Sequence, residues 1–124
     1  DWLSSPWHIT TDSETNEIFV VLAGDTDYEN SAGVACLGFD GEAFTEKWNT
    51  YESIFQTLHG IVLSENSNNL YVSGRGDGHL HIMNRTNGSR IQSVPIQSMM
   101  DMGGMAMGAM LGGIAIRTVE KAPE

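Results

Sequence analysis

The chain has 124 residues, 40% of them hydrophobic, which suits one domain with a packed core and argues against wholesale disorder. Its 16 acidic residues outnumber 6 basic ones and give a net charge of −10, so the chain would repel nucleic-acid phosphates and anionic membrane surfaces. We therefore expect no nucleic-acid partner. The single cysteine, Cys36, excludes an internal disulfide and a multi-cysteine metal site, and its apolar neighbours predict a buried structural thiol.

The first half of the chain predicts four short β-strands in succession. Their residues are β-prone, and Asp40-Gly41 is a hairpin signal between the third strand and the fourth. The acidic segment Gly24–Asn30 resembles a cation-binding loop, although it lacks the regular aspartate spacing of calcium loops. The predicted strands lie near WHIT, EIFVVLAG, GVACLGF and AFTEKW.

The second half predicts the same succession of four strands. Residues 50–58 allow one helical turn before it begins. Asp77-Gly78 and Asn87-Gly88 are turn signals, and Pro95 in the last strand fits a sheet edge because proline cannot donate to a strand neighbour. The predicted strands lie at HGIVLS, LYVSGR, HLHIMN and SRIQSVPI.

An internal repeat relates the two halves. Residues 9–25 align with residues 61–77 without a gap at an offset of 52, and five of the seventeen positions are identical. The identities fall at turns and at apolar strand positions, which indicates a repeated structural unit rather than a chance match. The identical pairs are Ile9/Ile61, Asn16/Asn68, Val20/Val72, Gly24/Gly76 and Asp25/Asp77.

Four antiparallel strands in a repeat of roughly 40–50 residues are typical of a β-propeller blade. The second copy contains, in chain order, His59-Gly60-Ile61, Ser64, Leu70–Ser73, Gly76-Asp77 and Thr86-Asn87-Gly88. This succession resembles the blades of the YVTN/NHL-like propellers. The resemblance extends over about 90 residues, from Trp7 to Ile96.

The resemblance implies an all-β fold of four-stranded antiparallel blades, at about residues 6–49 and 58–97, from a propeller of about six to eight blades. Two blades do not close a ring, and an open pair would leave sheet faces and edges exposed. We therefore expect the missing blades to be supplied by a longer form of the same polypeptide, by a protein partner or by further copies of the chain.

Three histidines are candidate ligands for a metal or a small molecule. His79 and His81 are two residues apart on a predicted strand, so both side chains face the same side. His59 lies at the start of a predicted innermost strand, where propellers build sites around their axis. The alternative is that all three are ordinary surface and loop histidines, since no cluster of cysteine or carboxylate ligands accompanies them in the sequence.

Two short motifs lie in predicted turns of the second copy. Arg75-Gly76-Asp77 matches a cell-adhesion tripeptide, but the repeat explains its glycine and aspartate as a plain turn. Asn84-Arg85-Thr86 and Asn87-Gly88-Ser89 are two adjacent glycosylation sequons in one turn, although asparagine, threonine, glycine and serine are also the residues that turns commonly contain. Arg75 and Asp77 are thus turn candidates, and Asn84 and Asn87 are glycosylation candidates.

Six of the seven methionines lie between Ser98 and Met110. Continuing the repeat at an offset of 44 predicts a further half blade at residues 103–119, with strands at residues 105–107 and 114–116 and a tail at residues 120–124. Thioethers suit Cu(I), and the methionines that precede this half blade are the copper candidates. These are Met99, Met100 and Met102. The uncharged run of residues 102–116 is shorter than the roughly 20 residues of a spanning helix, so we expect no membrane insertion.

These observations favour a non-catalytic binding or scaffold module in an extracytoplasmic setting, with a protein partner and no cofactor. Neither a nucleophile elbow nor a phosphate-binding loop is present in the sequence, so no catalytic residue is assigned. Two alternatives remain: a copper-handling or redox propeller that uses the histidine and methionine candidates, and a lactonase-like propeller hydrolase.

Overall fold

The computed structural model describes residues 6–24, 32–102, 105–108 and 112–116, with the side chains of residues 97–102 and 105–108 excepted. The fold is all-β. In the described ranges it consists of two four-stranded antiparallel sheets and one two-stranded hairpin, with no helix. The strands are β1 (Pro6–Asp12), β2 (Glu17–Leu22), β3 (Gly33–Phe39), β4 (Phe44–Tyr51), β5 (Leu58–Leu63), β6 (Asn69–Gly74), β7 (His79–Asn84), β8 (Arg90–Pro95), β9 (Gln97–Met102) and β10 (Met105–Gly108).

Each four-stranded sheet is a simple meander. The first sheet has the order β1-β2-β3-β4 and the second has the order β5-β6-β7-β8, so every strand pairs with its neighbours in sequence. The hairpin turns contain the glycines that the sequence predicted: Gly41 has a φ of 103° and Gly88 a φ of 77°, values that L side chains rarely adopt. Pro95 ends β8, which pairs only with β7 in the described sheet, and the prediction of an edge position is confirmed.

The main hydrophobic core lies between the two sheets. Phe19, Val21, Val34 and Cys36 of the first sheet are fully buried against the second. The residues of the second sheet that complete this core are Leu58, Ile61, Leu70, Val72 and Met83, together with Phe55 from the preceding loop. Because alternate residues of a strand face opposite sides, this packing fixes which face of each sheet is covered. A smaller cluster of Val20, Leu22 and Leu37 lies on the opposite face of the first sheet.

The sequence repeat is also a repeat in strand register. Ile9 pairs with Val20 in the first sheet, and their counterparts Ile61 and Val72, at an offset of 52, pair with each other in the second. The four residues therefore occupy the same position in two equivalent sheets. The two sheets pack face to face in the same orientation. The face of the second sheet that carries Ile61 and Val72 contacts the first sheet, whereas the corresponding face of the first sheet, which carries Ile9 and Val20, points away.

Two details differ from the sequence predictions. The helical turn allowed at residues 50–58 is absent: the backbone N–H of Phe55 donates to the carbonyl of Glu52 at 2.9 Å in an isolated turn. The predicted strand at residues 105–107 does form, but Met105–Gly108 pairs with β9, and residues 112–116 lie in no strand. A local pattern can identify an extended segment, whereas its pairing partner is decided by tertiary packing.

Candidate functional site

His79 and His81 lie on the same face of β7, as the sequence predicted. Their rings are stacked, with centroids 5.9 Å apart and planes inclined by 19°. The two side chains nevertheless differ in environment, because that of His81 is fully buried between the sheets while that of His79 is 29% exposed. Only His79 is therefore open to solvent.

His81 is held between a carboxylate and a hydroxyl group. Its Nε2 lies 3.1 Å from both carboxylate oxygens of Asp77, and its Nδ1 lies 2.7 Å from the Ser93 hydroxyl. The ring of Phe55 meets the imidazole edge-on, with a centroid distance of 4.8 Å. Both ring nitrogens thus have partners, which is what a buried imidazole requires.

Asp77 connects this network to the backbone of two loops. Its carboxylate accepts the backbone N–H groups of Gln56 and His79, each at 2.9 Å. Burial raises the pKa of Asp77, but the hydrogen bonds from His81, Gln56 and His79 outweigh burial and place that pKa below the usual range. The network of Asp77, His81 and Ser93 therefore holds the β6–β7 turn against the loop before β5.

The tripeptide Arg75-Gly76-Asp77 occupies the β6–β7 turn. The Asp77 side chain is only 5% exposed, since its carboxylate points into the network rather than into solvent. The backbone N–H groups of Arg75 and Gly76 donate to the carbonyls of Thr57 and Gln56 at 3.0 and 2.9 Å. The tripeptide is therefore a structural turn, and its aspartate is hydrogen-bonded within the protein.

His59 lies on β5 beside Trp7 of β1, with ring centroids 5.5 Å apart. Its Nδ1 is buried and has no hydrogen-bond partner among the residues that the structure describes. No described contact joins His59 to His79 or His81. In the part of the chain that the structure describes, no group of three or more histidine, cysteine or carboxylate side chains is arranged to hold a metal ion.

The methionine candidates Met99, Met100 and Met102 lie on β9, where the backbone is described and the side chains are not. The register of the hairpin places Met102 directly opposite Met105. The copper assignment to these three residues stays a prediction. The acidic loop proposed to bind a cation lies, from residue 25 to 31, outside the described residues.

The two glycosylation candidates differ in accessibility. The Asn84 side chain is half-buried, and its Oδ1 accepts hydrogen bonds from Asn68 Nδ2 at 3.1 Å and from the backbone N–H of Thr86 at 2.8 Å. Asn87 is exposed, and its Oδ1 accepts the backbone N–H of Ser89 at 2.9 Å. Glycosylation at Asn87 would leave the turn's own bonds to Asn84 in place, and modification of either residue stays a prediction.

Sequence reasoning missed an ion-pair cluster that joins the two sheets. Arg85, in the β7–β8 turn, places its Nη2 2.8 Å from a carboxylate oxygen of Asp12 and 2.8 Å from one of Glu17. The guanidinium carbon of Arg85 also lies 5.2 Å from the centre of the Phe19 ring. The Trp48 indole N–H donates to the backbone carbonyl of Arg85 at 3.0 Å. An arginine in the last hairpin turn of the second repeat, with Asp12, Glu14 and Glu17 in the first hairpin, was the available sequence signal.

The charges of this cluster stabilise one another. The hydrogen bond from Arg85 lowers the pKa of Asp12. Burial raises the pKa of Glu17, but hydrogen bonds from Thr15, Arg85 and Lys47 outweigh it and lower that pKa. All the charged members therefore stay ionised at neutral pH.

Cys36 borders the same cluster. Its Sγ lies 3.5 Å from Glu17 Oε2, where it donates a weak hydrogen bond. Burial, reinforced by the nearby Glu17 carboxylate, raises the pKa of the Cys36 thiol to about 12. The prediction of a buried thiol is confirmed.

An open polar groove of about 550 Å³ lies beside Arg85, between the β1–β2 turn and the β5–β6 turn. Hydroxyl, amide and carboxylate groups line it, among them those of Asp12, Glu14, Ser64, Glu65 and Asn66. The groove therefore offers several groups for hydrogen bonding.

No helix in the described ranges is long and apolar enough to cross a membrane. The chain was compared with protein-family models, with curated proteins and with solved structures, and none of the three comparisons gave a match.

Proposed function

We propose that the two four-stranded sheets are adjacent blades of a β-propeller of YVTN/NHL type, and that the chain is a non-catalytic binding or scaffold module. The observation that carries the proposal is the repeated register, in which Ile9 and Val20 of the first sheet correspond to Ile61 and Val72 of the second. In a β-propeller, successive blades pack face to face in the same orientation, so that the first strand of one blade lies next to the first strand of the following blade. The acidic surface and the single buried cysteine suit an extracytoplasmic location.

The exposed apolar side chains of the first sheet support a binding role. Ile9 is 53%, Phe39 38% and Phe44 59% exposed, and the two phenylalanine rings stack with centroids 4.7 Å apart. Phe39 shares a face of β3 with Leu37, and Ile9 shares a face of the sheet with Val20; this face points away from the second sheet. Exposed aromatic pairs of this kind are typical of protein–protein contacts.

In a solution of this chain alone, we expect a second copy to cover that face. Sedimentation over micromolar to sub-millimolar concentrations should give masses above the 13.5 kDa of one chain. Phe44→Asp should restore a 13.5 kDa species, whereas the adjacent Thr45→Asp adds the same charge on the other face of β4 and should leave association unchanged. A native chain that stays at 13.5 kDa throughout contradicts the scaffold proposal.

Copper handling is a second candidate, favoured by the register that pairs Met102 with Met105 in the β9–β10 hairpin. Thioethers are soft ligands, and a hairpin brings residues from both strands together. Elemental analysis of the purified protein after incubation with Cu(I) and desalting tests this role. A stoichiometric copper content supports it, and a copper content near zero contradicts it. The lactonase-like alternative stays a prediction that no described contact favours.

A further inference from the structure

The second sheet has an outer face that corresponds to a fully buried face of the first sheet. Phe19 and Val21 of β2 face the second sheet and are fully buried. Their counterparts at an offset of 52 are Tyr71 and Ser73 of β6, which face away from the first sheet. The face that carries Tyr71 and Ser73 is called the outer face of the second sheet below. Because the two sheets are equivalent, we expect this face to be buried by a further sheet, as the second sheet buries the corresponding face of the first.

The segment Gly112–Ile116 lies against one end of this outer face. The Ser73 hydroxyl accepts the backbone N–H of Gly60 at 2.9 Å and donates to the carbonyl of Gly112 at 2.5 Å. A Cβ atom on Gly60 would lie 3.1 Å from the nitrogen of Ile114 and 3.2 Å from the Cα of Gly113. The close approach of this segment therefore depends on the missing side chain at position 60.

The position of this segment repeats the position of β5 against the first sheet. The backbone N–H of Ile61 donates to Nδ1 of His8 at 3.1 Å, so Ile61 lies next to position 8 of β1. The counterpart of His8 at an offset of 52 is Gly60, and the nitrogen next to Gly60 is that of Ile114. Gly60-Ile61 and Gly113-Ile114 thus occupy equivalent places, and they share the dipeptide Gly-Ile at an offset of 53.

We propose that Gly113–Ile116 occupies the place of the innermost strand of a third blade, and that the outer face of the second sheet is the interface that this blade covers. The inference rests on the proposed blade architecture and names the occupant of one open face. It moves the start of the third blade from the 103–119 segment expected from the sequence to residue 113. The β9–β10 hairpin is then an insertion between the second blade and the third.

One residue of the segment is less exposed than the other four. Ile114 is half-buried, whereas Gly113 and Ala115 on either side of it are exposed. Ile61, the counterpart of Ile114, is 1% exposed in the core between the two sheets. Ile114 is therefore the residue of this segment that lies nearest the second sheet, whereas Ile116 at the end of the segment is 41% exposed.

A pair of matched substitutions tests this assignment in the chain itself. Ile114→Asp would place a charge against the outer face and should lower the thermal midpoint by about 5 °C, whereas Ala115→Asp should change it by about 1 °C or less. Equal midpoints for the two variants would overturn the assignment, because a strand covered on one side must distinguish adjacent positions.

Nuclear magnetic resonance gives a second readout that does not depend on stability. The native chain should show a nuclear Overhauser effect between Gly60 Hα and the Ile114 amide proton. Gly60→Ala should weaken it and accelerate exchange of the 114–116 amides roughly tenfold, while Ser67→Ala at an exposed position should do neither. Absence of the native effect would also overturn the proposal. None of these substitutions touches Phe44, so failure here and failure of the scaffold proposal can be told apart.

Discussion

The guanidinium of Arg85 lies 2.8 Å from the carboxylate of Glu17, and this contact joins two residues that are 68 positions apart in the chain. One partner belongs to a turn of the second sheet and the other to β2 of the first. The contact is 13–16% exposed at its side chains, so water screens it only in part. The relative position of the two sheets thus depends on charge as well as on the apolar core.

Replacing Arg85 should weaken the fold more than replacing a comparable surface arginine. Arg85→Ala leaves Asp12 and Glu17 without their shared cation, and we expect the free energy of unfolding to fall by about 2 kcal/mol. Arg90→Ala, whose pair with Glu52 is about one-third exposed on both sides, should cost less than about 1 kcal/mol. Urea denaturation of both variants measures the difference, and equal losses would show that Arg85 acts as an ordinary surface residue.

Acid should destabilise the protein partly through Asp77. Its pKa in the folded chain lies below the ordinary value of 3.8, so its contribution to stability is present above that value and is lost as the pH falls through the folded pKa. Asp77→Asn should therefore be less stable at neutral pH, and its stability should fall less steeply than that of the native chain below about pH 4. Urea midpoints measured from neutral to acidic pH test this. An unchanged acid slope in Asp77→Asn, with Glu65→Gln as an exposed control, would contradict it.

The two stacked histidines should respond very differently to substitution. His81→Ala removes a fully buried ring and takes one hydrogen-bond partner each from the Asp77 carboxylate and the Ser93 hydroxyl, so we expect a loss of about 3 kcal/mol in unfolding free energy. His79→Ala affects a half-buried ring and should cost about 1 kcal/mol or less. Chemical denaturation gives both values. Comparable losses would mean that the buried network contributes little.

Cys36 should be unreactive until the protein unfolds. With its pKa raised to about 12, the thiol holds almost no thiolate at neutral or mildly alkaline pH, and it is also fully buried. Labelling with a thiol-reactive disulfide should be negligible in the native protein and should reach one thiol per chain in guanidinium chloride. Rapid native labelling that increases between neutral pH and about pH 9 would contradict both the burial and the pKa.

Local signals accounted for most of the secondary structure. Asp40-Gly41 and Asn87-Gly88 predicted hairpins that form, because positive φ is cheap for glycine, and the β-prone runs predicted all eight strands of the two sheets. The ion-pair cluster of Arg85 could not be found in the same way. It depends on the packing of a turn against a distant hairpin, and neither segment alone reveals that distance.

The sequence by itself determined that the chain folds as repeated β-hairpins, and through the offset of 52 it determined that two units are equivalent. It also determined that His79 and His81 share a face, since alternation along a strand is a local property. Only the tertiary structure decided that His81 is buried and bound to Asp77 while His79 remains partly exposed, because burial depends on which part of a sheet lies beneath its neighbour. The tertiary structure likewise decided the role of Gly60, because a side chain at this position would crowd the backbone of Gly113 and Ile114.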